Sequence, residues 1–307
     1  MGMLVNGEWH EADSHPDASG FKGTITKDGS SGYKAEPGRY YLYLSLVCPF
    51  SHRTLIMRKL KDLDNVIGVV FASPLKGDQG WGFSEEYPDT LHHFEHLYQL
   101  YQMSSPRFTG AVSVPCLWDS QTNTIVSNDS GDIMIMLNDS FEQGNNADFY
   151  PAHLRSSIDE MNQFLLKINF GVYRTGGAKT QQDYESQVDA LFEALDRAEA
   201  ILERQRYLLG DQITIADWRL YVTLVRFDAV HYGLMKCNLR TLESYENLSN
   251  FVRELYQMPE MAELTNIDII KKGYYYSFNN LNPSRIYPKG PFIDFSRSHN
   301  RNIKQFN

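Results

Sequence analysis

At 307 residues the chain is long enough for two domains with cores of their own, and an apolar content of 42% lets it fold without staples. Its formal charge of −9 repels phosphate backbones and anionic lipid, which argues against nucleic acid and membrane surfaces as partners. No run approaches the ~18 apolar residues of a membrane span, and the opening MGMLVNGEWHEADSH has acids but no apolar signal-peptide core, so a cytoplasmic protein is expected.

Residues 1–38 are rich in Gly, Asp, Ser and Lys without a sustained period, and are expected to form an extension over the surface of the fold. From Arg39 the pattern changes. Tyr40-Tyr41-Leu42-Tyr43-Leu44-Ser45-Leu46 suits a buried strand, and Val47-Cys48-Pro49-Phe50 breaks it. From Ser51, Leu55, Ile56, Leu60 and Leu63 recur at helical spacing, and Pro49 fits a first helical turn, where its missing N–H is not needed. Val66 to Phe71 is a second strand, so the unit is βαβ with a right-handed crossover. A short helix is predicted over His92 to Tyr101. A hairpin follows: Val112 to Asp119, a turn at Ser120 to Asn123, and Thr124 to Ser127. Pro115 lies inside the first of these strands, where it cannot donate to the ladder, so an edge or a special backbone position is expected. Asn128-Asp129-Ser130 can cap a helix from Gly131 to Asn138. This order is that of a thioredoxin-like α/β domain, assigned to residues 39–145.

Residues 154–290 are predicted to be all helical. Val188, Leu191, Phe192, Leu195, Ala198 and Leu202 stripe a helix from Gln181 to Arg206. Thr214 and Asp217 form a capping-box pattern ahead of Trp218 to Phe227, and another helix is predicted over Leu248 to Gln257. The tail, 291–307, is expected to be extended.

Of the three cysteines, Cys48, Cys116 and Cys237, none lies in a CxxC or at zinc-ligand spacing, so neither a disulfide framework nor a metal site is expected. Cys116 and Cys237 read as small buried apolar residues. Cys48 differs because it opens a helix. Free N–H groups and the partial positive charge there favour a thiolate, which is the nucleophilic form, and His52 and Arg53 add positive potential. Three residues on stands Ser51, not cysteine. Cys48 can therefore form a mixed disulfide only with an outside thiol, which a second outside thiol must resolve.

A series of segments in family order resembles the glutathionyl-hydroquinone reductases, the Xi class of glutathione transferases. They include Cys48-Pro49-Phe50-Ser51-His52-Arg53, Gly80-Trp81-Gly82-Phe83, Phe108-Thr109-Gly110 and Val114-Pro115-Cys116-Leu117-Trp118-Asp119. Asn169-Phe170-Gly171-Val172-Tyr173, Ala216-Asp217-Trp218-Arg219-Leu220, Leu224-Val225-Arg226-Phe227-Asp228, Lys236-Cys237-Asn238-Leu239 and Ile270-Lys271-Lys272-Gly273-Tyr274-Tyr275 continue it.

The resemblance implies a thioredoxin-like domain followed by an all-helical one, usually in a homodimer. No bound cofactor is implied; glutathione is a co-substrate and a quinol-type aromatic is the other partner. Cys48 matches the nucleophile. Val114, before an expected cis-proline at Pro115, matches the residue whose backbone pairs with glutathione. Asp129 and Ser130 match the pair holding the γ-glutamyl end, and Trp81 with Phe50 completes the thiol site. Tyr173, with Tyr274 or Tyr275, matches the phenols that face the aromatic. Each also admits a plain reading: a strand kink for Val114 and Pro115, a helix cap for Asp129 and Ser130, packing for Trp81 and the tyrosines. The sequence departs from the family at Phe50, where Trp is usual, and at Ala111, where an arginine ligand is usual. Gly273 and Phe278 stand in place of histidines. Another small thiol in place of glutathione, a glutathione-conjugating transferase, and a non-catalytic thiol-binding scaffold remain as alternatives.

Overall fold

In this computed structural model, which describes residues 2–11 and 20–306, the chain divides into two units, Met1–Ala147 and Asp148–Asn307. The first unit opens with a hairpin of β1 (Gly2–Val5) and β2 (Glu8–Glu11), turned through Asn6 and Gly7 at positive φ. Two short strands follow, β3 (Ile25–Thr26) and β4 (Tyr33–Lys34). Next come β5 (Tyr40–Leu44), α1 (Pro49–Leu60), β6 (Gly68–Phe71), α2 (Leu97–Ser104), β7 (Gly110–Ala111), β8 (Cys116–Asp119), β9 (Thr124–Ser127) and α3 (Ser130–Asp139).

The main sheet has the order β6-β5-β8-β9. β5 runs parallel to β6, with Leu44 opposite Phe71, and antiparallel to β8, with Tyr43 opposite Cys116; β8 and β9 form the expected hairpin. Tyr40, Leu42, Tyr43 and Leu44 are all buried, as a central strand covered on both faces requires. Helices α1 and α3 pack against each other.

The sequence predicts residues 1–38 as a surface extension without regular structure. Instead β1 pairs with both β2 and β7 and sends Leu4, fully buried, into a core with Tyr43, Tyr101, Cys116 and Trp118. Strands of two to four residues are too short to show a period, so the pattern is silent there. Residues 12–19 of that stretch lie outside the described residues. Helix α2 starts five residues later than predicted. The Asp89 carboxylate accepts from the backbone N–H groups of Leu91, His92 and Phe94, which holds that segment in an irregular turn, and a capping box of His96 and Gln99 then starts the helix.

The second unit contains α4 (Arg155–Asn169), α5 (Gly171–Gly177), α6 (Gln181–Arg204), α7 (Ile215–Leu224), α8 (Glu246–Tyr256) and α9 (Ile267–Ser277). The predicted stripe of α6 is buried throughout, and Thr180 caps its start by accepting from the Asp183 N–H at 3.1 Å. The Thr214–Asp217 capping box opens α7, which stops at Leu224. The predicted end is Phe227, three residues further on, where a π-helical turn, Phe227–His231, begins. The tail folds back where an extended run is predicted. Arg301 is buried and donates to Glu254 at 2.6 Å, and Arg206 donates to the same carboxylate.

Candidate active site

Cys48 is the N-cap residue of α1, with extended backbone (φ −74°, ψ 123°), and Pro49 takes the first helical position. Its carbonyl accepts from the His52 N–H at 2.9 Å, so the helix begins immediately beyond the sulfur. The half-buried thiol donates to the Val114 carbonyl at 3.4 Å, directly before the cis bond to Pro115. Ser51 is buried, and its hydroxyl accepts from the Ser45 N–H at 3.2 Å. It thus pins the β5–α1 turn.

Asp129 is the N-cap of α3, and its Oδ1 accepts from Gly131 N–H at 2.7 Å and Asp132 N–H at 3.0 Å. The plain helix-cap reading therefore applies to one carboxylate oxygen. Ser130 is buried, and its hydroxyl accepts from Arg53 through Nε at 3.0 Å and also through Nη2. Arg53 also lies over the Phe50 ring, 5.1 Å from its centroid. One basic residue of α1 thus ties Phe50 to the start of α3. Trp81 accepts the Leu97 N–H at its carbonyl and packs, with Cys48, against the core cluster of Leu4, Tyr43 and Cys116.

The sheet topology explains why these residues meet. Residues 45–48 leave the carboxyl end of β5, and the segment leading to Trp81 leaves the carboxyl end of its parallel neighbour β6. The antiparallel β8 begins at that same edge, just after Pro115, and β9 ends there, just before Asp129. Across the edge the order is Trp81, Cys48, Val114 with Pro115, then Asp129 with Ser130.

The other two cysteines match the plain reading. Cys116 is fully buried, donates to the Ser113 carbonyl at 3.0 Å, and burial pushes its thiol up to about 12. Burial does the same to Cys237, also to about 12.

In the helical unit, the hydroxyls of Tyr173 in α5 and Tyr274 in α9 are hydrogen-bonded at 2.5 Å. Tyr275, one residue on, points elsewhere: its hydroxyl lies so close to Gly233 that a Cβ there would sit 2.6 Å from it. The structure therefore brings Tyr173 together with Tyr274 and not with Tyr275. Beside the pair lies His231, 1% exposed, with ring centroids 5.9 Å from Tyr173 and 5.7 Å from Tyr274. Burial, aided by Arg226, holds its imidazole down to about 3, so it is neutral. The sequence reading passes over His231, because a histidine in an apolar run carries no spacing signal.

Known proteins give the arrangement its context. Residues 47–140 match the glutathione S-transferase N-terminal domain, and residues 181–254 match the C-terminal domain. The glutathionyl-hydroquinone reductase YqjG of Escherichia coli is 42% identical, over 99% of both chains. PcpF of Sphingobium chlorophenolicum, also a glutathionyl-hydroquinone reductase, is 39% identical over 95% of this chain and 96% of its own. Among solved structures, a Xi-class glutathione transferase from Natrialba magadii superposes with a TM-score of 0.96 at 37% identity, covering 100% of this chain and 98% of that one. The chain belongs to the Xi-class glutathione transferases, the glutathionyl-hydroquinone reductase family.

The structure locates the positions at which the sequence reading expects this Xi-class chain to depart from the family pattern. Ala111 lies in β7 opposite Met3, half-buried and without charge. Phe50 is held by Arg53, and Phe278 stacks on Tyr274 at 5.5 Å with the rings 8° apart. Among the described residues no group of three or more His, Cys, Asp or Glu could hold a metal, and no helix is long and apolar enough to cross a membrane.

Proposed function

We propose that this protein reductively removes glutathione from glutathionyl-hydroquinone aromatics, with Cys48 as the nucleophile. The observation that carries the reading is the placement of one half-buried cysteine sulfur at a helix start, on the Val114 carbonyl, with a serine and no second cysteine within the turn. The Cys48 thiolate attacks the sulfur of the conjugate. A sulfur–sulfur bond forms, the sulfur–carbon bond breaks, and its electron pair leaves on the aromatic carbon, which takes a proton. The Tyr173–Tyr274 pair is assigned that proton, since a phenol accepting a hydrogen bond from its neighbour is a better donor. A second glutathione thiolate then attacks the glutathione sulfur of the mixed disulfide. Oxidised glutathione leaves and the Cys48 thiolate is restored.

In this proposal Val114, Pro115, Trp81, Phe50, Asp129 and Ser130 hold the thiol, and Asp129 Oδ2 and the Ser130 hydroxyl suit an amino-acid end with an ammonium and a carboxylate. A homodimer and a cytoplasmic setting belong to the same reading; a catalytic free thiolate needs a reducing compartment.

Incubation with the conjugate, followed by intact mass, should show one glutathione adduct on the protein, removed by added glutathione. Cys48→Ser should stay folded, form no adduct and lose conjugate cleavage. A folded Cys48→Ser protein that keeps most of its activity would refute the assignment. Conjugation of glutathione to electrophiles without any adduct would favour a conjugating transferase.

A further inference from the structure

Helix α2 packs beside the β8–β9 hairpin, and one of its side chains ties together two parts of the sheet edge that carries Cys48. Tyr101 and Ser104, three residues apart, share one face of the helix. The Ser104 hydroxyl accepts from the Ile125 N–H at 2.9 Å and lies 2.8 Å from the Thr124 hydroxyl, which anchors the helix to the start of β9. Tyr101 reaches the other end of the hairpin. Its ring is fully buried. Its hydroxyl donates to the Ser113 carbonyl at 2.8 Å, and accepts from the Ser113 N–H at 3.2 Å and from the Asn128 side-chain amide at 3.3 Å. One donated and two accepted bonds are all that a phenol oxygen can make. The Cys116 thiol lies 3.2 Å away, with its single hydrogen on the nearer Ser113 carbonyl. The Asn128 amide is fixed in orientation, because its Oδ1 accepts from the Phe21 N–H at 3.0 Å and a backbone N–H can only donate. Burial pushes the Tyr101 phenol well above its ordinary value, so the donated hydrogen stays in place at any working pH.

The two residues that share this hydroxyl stand next to the site. Ser113 directly precedes Val114, whose carbonyl accepts from the Cys48 thiol, and Asn128 directly precedes Asp129. Residues 113–115 and 128–130 lie beyond the last pair of the β8–β9 ladder, Leu117 with Ser127. The ladder therefore does not set their separation, and the Tyr101 hydroxyl supplies a link there. A hydrogen bond weakens steeply as its geometry slips, so a binding group must be held to within about 0.5 Å.

We propose that Tyr101 is a positioning residue that sets the separation of Val114 from Asp129, and so fits the site to thiols carrying an α-amino group at a fixed distance from the sulfur. This rests on the function proposed above and names the residue that decides how well Asp129 is used. Tyr101 acts through Ser113 and Asn128.

The probes are S-methylglutathione, which cannot exchange with Cys48, and its des-amino analogue, with a glutaryl group in place of γ-glutamyl. Both are titrated by calorimetry into the unmodified protein, Tyr101→Phe, Asn128→Ala and the double variant, and thermal unfolding of each is recorded. The unmodified protein should prefer S-methylglutathione about tenfold, the weight of one charge-assisted hydrogen bond to Asp129. Tyr101→Phe should bind the analogue within about twofold of the unmodified protein and lose most of the preference. Asn128→Ala should do the same, and the double variant should lose no more than either, because both delete one link. A packing role alone would lower Tm and leave the preference intact. That result in Tyr101→Phe, or in Asn128→Ala should the first variant not fold, overturns the proposal, as does an equal weakening of both ligands. Absence of the preference, or of binding, in the unmodified protein removes Asp129 from the site and takes this proposal with it. Conjugate cleavage through Cys48 is read separately by adduct mass, so failure there leaves the binding result distinct.

Discussion

The adjacent tyrosines Tyr274 and Tyr275 are indistinguishable by composition, yet the structure gives them different neighbours, and substitution by phenylalanine separates them. The Tyr173–Tyr274 bond, at 2.5 Å, is at the short end for paired hydroxyls. Such a bond contributes roughly 0.5–1.5 kcal/mol to stability, and in a chain of this length each kcal/mol moves Tm by about 2–4 °C. Tyr173→Phe and Tyr274→Phe should therefore each lower Tm by a few degrees. The double variant should lose about as much as one single variant, because both delete the same bond. Turnover is the larger effect. In the proposed reaction the pair is the general acid, whose loss costs about 10²–10⁴-fold, so both single variants should fall in kcat while thiol affinity holds. Tyr275→Phe removes a hydroxyl that lies against Gly233 and not against Tyr173, so turnover should stay within about threefold. The assays are cleavage of a glutathionyl-hydroquinone and thermal unfolding of all four variants. Equal turnover losses in Tyr274→Phe and Tyr275→Phe, or strictly additive stability losses in the double variant, would refute the pairing argument.

Alkylation at pH 8 should add a single label, on Cys48, because burial holds the Cys116 and Cys237 thiols far above that pH; labelling of the folded Cys48→Ser protein would contradict this. His231 is neutral in the folded state down to about 3, whereas an unfolded histidine protonates near 6.5. Below 6.5 the unfolded chain binds more protons, so His231 contributes stability that is lost as pH falls from 6.5 toward 3. His231→Phe should flatten that part of the Tm-against-pH curve, and an unchanged slope between pH 7 and 4 would remove His231 as its cause.

What the sequence determined by itself is local. The aromatic run from Tyr40, the break at Cys48-Pro49 and the periodic residues after Ser51 specify strand, turn and helix through neighbouring side chains and a proline at a helix start. The Asp129 cap and the Thr214–Asp217 capping box are legible for the same reason, since donor and acceptor lie within three residues. Burial of Cys116 and Cys237 follows from the general behaviour of a free cysteine as a small apolar residue. Tertiary structure decided the rest. Nothing within Gly2 to Val5 announces that Leu4 reaches the core, because its partner strand is Gly110–Ala111, a hundred residues away. Whether Tyr274 or Tyr275 meets Tyr173 depends on how α9 is rotated about its axis, since successive helical residues point about 100° apart and packing alone sets the angle. Arg53 reads as one more basic residue on α1 until α3 packs alongside and Ser130 receives its guanidinium. Trp81 and Cys48 pack against the same core cluster only because β5 and β6 pair in parallel. That pairing delivers two loops, separated in sequence by a helix and a strand, to one edge of the sheet.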